Sequence, residues 1–361
     1  MQAQFRAHWR CGQVASAAFT LESGWFRAYT QFMQVEKPSD RRNRRADGAM
    51  SGRRQFLAQL TGLAAATALA SKRGVAADVE SSPSAPPLPS IQLGTHRISR
   101  LVAGSNPILG YSYLGPHTDR HLKEYFTVER TVEFLENCER AGITAHQFAD
   151  PERALPYLRP LRQRGSKLQF ICLHAEREKI RQAVDLTQPM AMVHHGGVTD
   201  RLFAEGKTSV VHDYVKAAHD AGVLAGVSAH NPDCIKRIAD EGWEVDFFMT
   251  CFYFLTRKRG KEDEGVPTLE IAYPFYRDDP KVMSEVVRQV KQPCLGFKIL
   301  GAGRLCADQP TVRRAFQFAF ENIKPTDGVI VGMFPWCFDE VSANAQYTQE
   351  LGRAASSRAA A

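Results

Sequence analysis

Lys298-Ile299-Leu300-Gly301-Ala302-Gly303-Arg304, read with the earlier Gly226-Val227-Ser228-Ala229-His230-Asn231, decides the fold. Each segment is a short apolar run that stops abruptly at polar and glycine residues, as a buried parallel strand does where it feeds a loop. Working outward, runs of the same kind occur at 98–106, 144–149, 168–174, 190–195, 224–229, 245–253, 294–300 and 328–333. Helical patterns separate them. In 128–141, for example, Val132, Leu135, Cys138 and Ala141 fall on one stripe before Gly142. Strands alternating with helices predict a single-domain α/β (β/α)8 TIM barrel over 91–352, and they confine any chemistry to the rim where the strands end.

The N-terminal part is of another kind. Residues 1–49 share no periodicity with the rest and are expected to be a non-native upstream extension or a disordered leader, with translation starting at Met50. From there Arg53-Arg54-Gln55-Phe56-Leu57, an alanine-rich apolar stretch over 58–70 and Val75-Ala76-Ala77 make a twin-arginine signal peptide over 50–77. The apolar stretch is shorter than the roughly 20 residues a bilayer requires, so no stable membrane span is expected. The expectation is an exported, periplasmic protein that meets the twin-arginine translocation machinery. A proline-rich linker follows over 78–90, and 353–361 is expected to be a disordered tail.

Charge divides the chain in the same place. Residues 1–77 contain 12 Lys and Arg against 4 Asp and Glu, which leaves 34 basic and 35 acidic residues beyond them. The pI of about 9.0 therefore belongs to the leader, and the barrel carries no basic footprint for nucleic acid. Beyond the signal lie seven cysteines, at 138, 172, 234, 251, 294, 306 and 337, with no C-x-x-C spacing. Most sit in apolar contexts and read as buried free thiols, although export would permit one disulfide whose partners spacing does not choose.

The predicted rim is rich in histidine. His174, His195 and His230 end the third, fourth and fifth strands, His146 lies on the second, and Asn106, Asp150, Asn231 and Lys298 are near the same edge. Two arrangements are open. The histidines line a polar pocket for a small-molecule substrate, or three imidazoles and a carboxylate hold a divalent metal that activates water. Lys298 is either a base or Schiff-base nucleophile, or the ion-pair partner of an inward carboxylate such as Asp150. The charged insertion over 256–280 reads as a solvated loop or as a lid over the mouth, and Phe334-Pro335-Trp336 as an apolar wall or a closing plug.

The opening Leu93-Gly94-Thr95-His96-Arg97-Ile98-Ser99-Arg100-Leu101, the segment Ala221 through Ser228, Lys298 through Leu305, and Val331-Gly332 through Asn344 together resemble the aldo-keto reductases, in order along the barrel. That resemblance implies an Asp, Tyr, Lys and His at the mouth and an NADP or NAD cofactor. The matching positions here are Gln147 (with Asp150 close by) for the Asp, His174 for the Lys and His195 for the His, while no Tyr falls at the expected spacing. It also implies a cofactor site at Ser228 and Asn231 and an aromatic face from Tyr253, which reads otherwise as core; Arg304 and the Gly301-x-Gly303 turn read as pyrophosphate contacts or as a plain tight turn. The span 332–349, where the family places a cation for the 2′-phosphate, contains no Lys or Arg. The expected function is an exported aldo-keto-reductase-like oxidoreductase acting on a small carbonyl or sugar-like molecule. The alternatives are a metal-assisted lyase, isomerase or hydrolase, and a barrel that binds a ligand without catalysis.

Overall fold

In the computed structural model, residues 87–257 and 273–358 are described. The expected leader, the signal peptide, most of the linker, the centre of the charged insertion and the last residues of the tail lie outside them. A hairpin of β1 (Ser90–Leu93) and β2 (His96–Ser99) precedes the barrel strands β3 (Leu101–Gly104), β4 (Ala145–Ala149), β5 (Gln169–His174), β6 (Ala191–His194), β7 (Leu224–Ala229), β8 (Phe247–Cys251), β9 (Cys294–Phe297) and β10 (Gly328–Gly332). All neighbouring barrel strands pair in parallel, and β10 pairs with both β9 and β3, so the sheet closes into an eight-stranded barrel.

The helices form an outer ring. They are α1 (Pro116–Tyr125), α2 (Val128–Arg140), α3 (Pro151–Gln163), α4 (Ile180–Thr187), α5 (Gly196–Ala204), α6 (Thr208–Asp220), α7 (Pro232–Asp240), α8 (Asp279–Gln289), α9 (Gln309–Asn322) and α10 (Glu340–Arg358). Among the described residues, no helix is long and apolar enough to cross a membrane.

Strand alternation sorts the core into two shells. Val102, Ala145, Ile171, Ala191, Val193, Phe247, Met249, Leu295 and Ile330 fill the barrel interior. Phe148, Cys172, Met192 and Phe248 pack between the barrel and its helices. Ile91, Leu93 and Ile98 of the hairpin join the interior cluster, and His96 Nδ1 meets Gln169 Oε1 at the start of β5, 2.8 Å away. The hairpin therefore caps the end where the strands begin, and only the opposite mouth is left for a ligand.

The predicted first strand, 98–106, proves to be two elements. Ile98 and Ser99 belong to the hairpin, and the chain turns at Arg100 before β3 begins. The reason is the Arg100 side chain, fully buried, which donates to the carbonyls of Asp327 (2.7 Å), Gly352 (2.6 Å) and Lys324 (3.0 Å). Burial lowers its pKa to about 10, with Asp327 acting against that shift. Five of the seven cysteines are buried free thiols, whereas Cys306 and Cys337 are exposed.

Candidate active site

The mouth is organised by a carboxylate absent from the predicted rim. Asp200 lies on the buried side of α5, the helix that follows β6. Its carboxylate accepts from the backbone N–H of His230 (3.0 Å), the backbone N–H of Asn231 (3.1 Å), His230 Nδ1 (3.0 Å) and the Thr256 hydroxyl (2.8 Å). Several donors converging on one buried carboxylate hold it as a fixed anion at the end of β7. Because a carboxylate only accepts, Nδ1 of His230 carries the proton and Nε2 is left as the unprotonated nitrogen.

Close approach of α5 makes this contact possible. A Cβ on Gly196 would lie 2.8 Å from Ser228 Oγ and 3.2 Å from His230 Cε1. Glycine at the first position of the helix lets its axis settle against β7, which carries Asp200 under the imidazole. Burial lowers the pKa of His230, with Lys298 adding to the shift, although the Asp200 hydrogen bond opposes it. His195 is the residue that caps α5, and its pKa is also lowered. Packing around the ring is the main cause even though the side chain reaches the surface, and nearby His230 and Lys298 add to it.

His195 also borders a cleft of about 430 Å³ that runs over the ends of β4 and β5, past Asp150, Leu173, His174 and Lys179. That volume suits a small molecule. Across the mouth, Lys298 adopts a left-handed backbone (φ 59°), with Nζ 4.6 Å from the ring centres of both Tyr113 and Phe297. Burial alone pulls its pKa down, yet coupling to Cys251 and to the Tyr113 and Tyr273 hydroxyls outweighs that, and the net shift is upward. A lysine so placed is a cation at neutral pH.

The predicted site residues separate accordingly. His195 and Lys298 share the mouth with His230, within range of one another's charge. Gln147 is buried on the inward side of β4. His174 borders the cleft, but its Nδ1 accepts from the backbone N–H of Glu176 (3.0 Å). Asp150 does not pair with Lys298. It caps α3 from a left-handed conformation (φ 58°), its side chain accepting from the Arg153 N–H at 3.3 Å.

Two further histidines are withdrawn from the rim. His146 points outward, with Nδ1 2.9 Å from the Ala103 carbonyl and Nε2 3.2 Å from the Tyr157 hydroxyl. His194 packs on Tyr214 and meets Thr199 Oγ1 at 2.7 Å. Of the positions expected to hold a cofactor, Ser228 lies against Gly196 and Asn231 caps α7 through Asp233 N–H (3.0 Å). Tyr253 stands at the Gly301 turn, where a Cβ on Gly301 would be 3.3 Å from its hydroxyl. Gly301 and Gly303 both have positive φ, and Arg304 packs on Phe275.

Asp200 left little trace in the sequence. Its one signal is position: with Gly196 and Thr199 it falls on the inward stripe of a short helix, where an aspartate is out of place unless something pairs with it.

No family model and no curated protein matches the chain. Solved structures similar to it include a truncated 3-deoxy-D-arabino-heptulosonate 7-phosphate (DAHP) synthase from Thermotoga maritima, at 13% identity and a TM-score of 0.43, covering 76% of this chain and 94% of that one. The apo form of Gox0644 matches at 11% identity and 0.46, covering 74% and 94%. A DHPS from Yersinia pestis with a pterine-sulfa conjugate matches at 10% and 0.43, covering 75% and 99%. Likeness at this level extends to the barrel and carries no argument about activity.

These findings correct the resemblance to aldo-keto reductases and the oxidoreductase function drawn from it. No family model joins the chain to that family. The residues agree with the correction. The second strand presents Gln147, the third ends in His174, and Tyr157 is buried on the inner face of α3 against His146, so the positions matching the family's Asp, Tyr and Lys hold none of these residues. Among the described residues, no three His, Cys, Asp or Glu side chains converge to hold an ion. His174 borders the cleft over β4 and β5 while His230 is held by Asp200 at the end of β7, and His146 and His194 face away.

Proposed function

We propose that the barrel is an enzyme that moves a proton to or from a small polar molecule bound at its mouth. His230 is the base, Asp200 fixes its tautomer and orientation, and His195 faces the same molecule from β6. The observation that carries this reading is the Asp200–His230 pair, in which a buried carboxylate 3.0 Å from Nδ1 leaves Nε2 unprotonated. Its chemistry is that of a positioned general base. An imidazole with a lowered pKa stays neutral into mildly acidic solution, so the base is in its working form over a wide range. The ammonium of Lys298, in range of both imidazoles, gives the mouth a positive field that favours a substrate on which negative charge develops.

The test is solvent exchange. The protein is incubated in deuterated water with a panel of small carbonyl compounds and hydroxy acids, and loss of carbon-bound hydrogen is followed by proton NMR. At least one compound is expected to exchange, with the rate falling about 100-fold or more in His230→Ala. Exchange in none of the panel, or exchange unchanged in that variant, would overturn the reading.

A further inference from the structure

The turn after β9 holds two cations, Lys298 and Arg304. Lys298 and Arg304 make no ion pair among the described residues, and both lie against aromatic faces: Lys298 between Tyr113 and Phe297, and Arg304 with its guanidinium carbon 3.8 Å from the Phe275 ring centre. Tyr113 connects them. Its ring faces the lysine ammonium, and its carbonyl accepts from Arg304 Nη2 at 3.4 Å. Arg304 Nη1 donates to the Gly301 carbonyl at 3.3 Å. These two bonds aim the guanidinium and leave the rest of its fork unoccupied.

The backbone is shaped to hold this arrangement. Lys298, Gly301, Ala302 and Gly303 all have positive φ, at 59°, 58°, 51° and 87°. Two of the four are not glycine, and each such residue costs about 1 kcal/mol or more in that conformation. Aromatic faces attract a cation without cancelling its charge, so half-buried Lys298 and exposed Arg304, both in contact with Tyr113, still present positive charge to an anion. A guanidinium with free N–H groups beside a fixed ammonium matches the oxygens of a phosphate or a carboxylate. The loops after the seventh and eighth strands of such barrels are frequent phosphate sites, and β9 is the seventh barrel strand here.

We propose that Lys298 and Arg304, positioned by Tyr113 and the Gly301–Gly303 turn, bind an oxyanion group, phosphate or carboxylate, carried by the molecule on which His230 acts. The role of that molecule as a substrate rests on the function proposed above, whereas the binding of the anion does not. Bound there, the group would anchor one end of the molecule while its reactive part extends toward His195 and His230, whose rings already sense the Lys298 charge.

The experiment is equilibrium titration calorimetry of the full chain at low ionic strength with inorganic phosphate, with malonate, and with chloride as the control. One equivalent of phosphate or malonate is expected to bind in the millimolar range or tighter, and the tighter of the two identifies the group. Arg304→Met and Lys298→Met should each weaken binding about tenfold or more, and Arg304→Lys should fall in between because it keeps charge and loses the fork. The thermal midpoint of each variant shows whether it remains folded. His230→Ala should bind the anion as the wild type does, so loss of proton exchange and loss of anion binding are read separately. No binding beyond chloride, or binding that Arg304→Met, Arg304→Lys and Lys298→Met leave unchanged, would overturn the proposal.

Discussion

Asp200 makes His230 a directed base, and the pair predicts a pH signature as well as a loss of rate. Exchange requires neutral His230, so it falls as the solution is acidified through the histidine's pKa. Because burial lowers that pKa from 6.5, the acid limb should lie below the ordinary histidine range. The Asp200 hydrogen bond acts in the opposite sense, raising it. In Asp200→Asn the limb should therefore move further toward acid, while the plateau rate drops about 100-fold from lost orientation. A limb that stayed in place, read from rate against pH, would show that Asp200 does not act through the imidazole. This scale was the least legible in the sequence. His195, His230 and Lys298 were visible because each ends an apolar run. Asp200 stands in the middle of a helical segment beside Arg201 and Glu205, where an acidic residue is usually a solvated one. Asp150, just past the end of β4, looked like an inward carboxylate, but a proline at the next position starts a helix there, and the aspartate is used as its cap.

At the scale of elements, the site depends on how closely α5 lies on β7. The strands themselves were legible from apolar runs and their glycine or polar stops, although β9 ends at Phe297, before Ile299 and Leu300. Those two residues are apolar but lie in the left-handed turn that opens at Lys298, and hydropathy does not register backbone handedness. Packing distance between elements was likewise invisible. Gly196 is followed by a second glycine, and only the fold reveals that a methyl there would meet Ser228 Oγ at 2.8 Å and His230 Cε1 at 3.2 Å. Gly196→Ala should therefore push the N-terminus of α5 outward and cost about 1–3 kcal/mol of stability, with a disproportionate loss of proton exchange as Asp200 withdraws from His230. Removing the nearer obstacle should restore part of both, so Gly196→Ala with Ser228→Ala is expected to be more stable than Gly196→Ala alone. Urea unfolding of the two variants checks this, and a double variant no more stable than the single one would refute the close-contact account.

For the whole molecule, the histidines withdrawn from the mouth govern how the barrel tolerates acid. His146 and His194 are both almost completely buried, on the outer sides of β4 and β6 where the barrel meets its helices. Burial lowers each pKa to about 4. In the unfolded chain they would titrate near 6.5, so between those limits the unfolded state binds protons that the folded state refuses. Their contribution to stability is complete above the unfolded value and is lost as pH falls toward 4. The shift corresponds to an order of 3 kcal/mol for each histidine across that window. In His146 burial is the cause and the hydrogen bond from Nδ1 to the Ala103 carbonyl opposes it, while Nε2 lies 3.2 Å from the Tyr157 hydroxyl. The urea midpoint should therefore fall steadily from pH 7 to pH 4.5, before most carboxylates begin to protonate. His146→Gln should be less stable than the wild type at pH 7, because it cannot fill the same space, yet it should lose less on acidification, since one of the two proton-refusing groups is gone. Were its midpoint to fall as steeply as that of the wild type, the acid sensitivity would have to come from elsewhere in the fold.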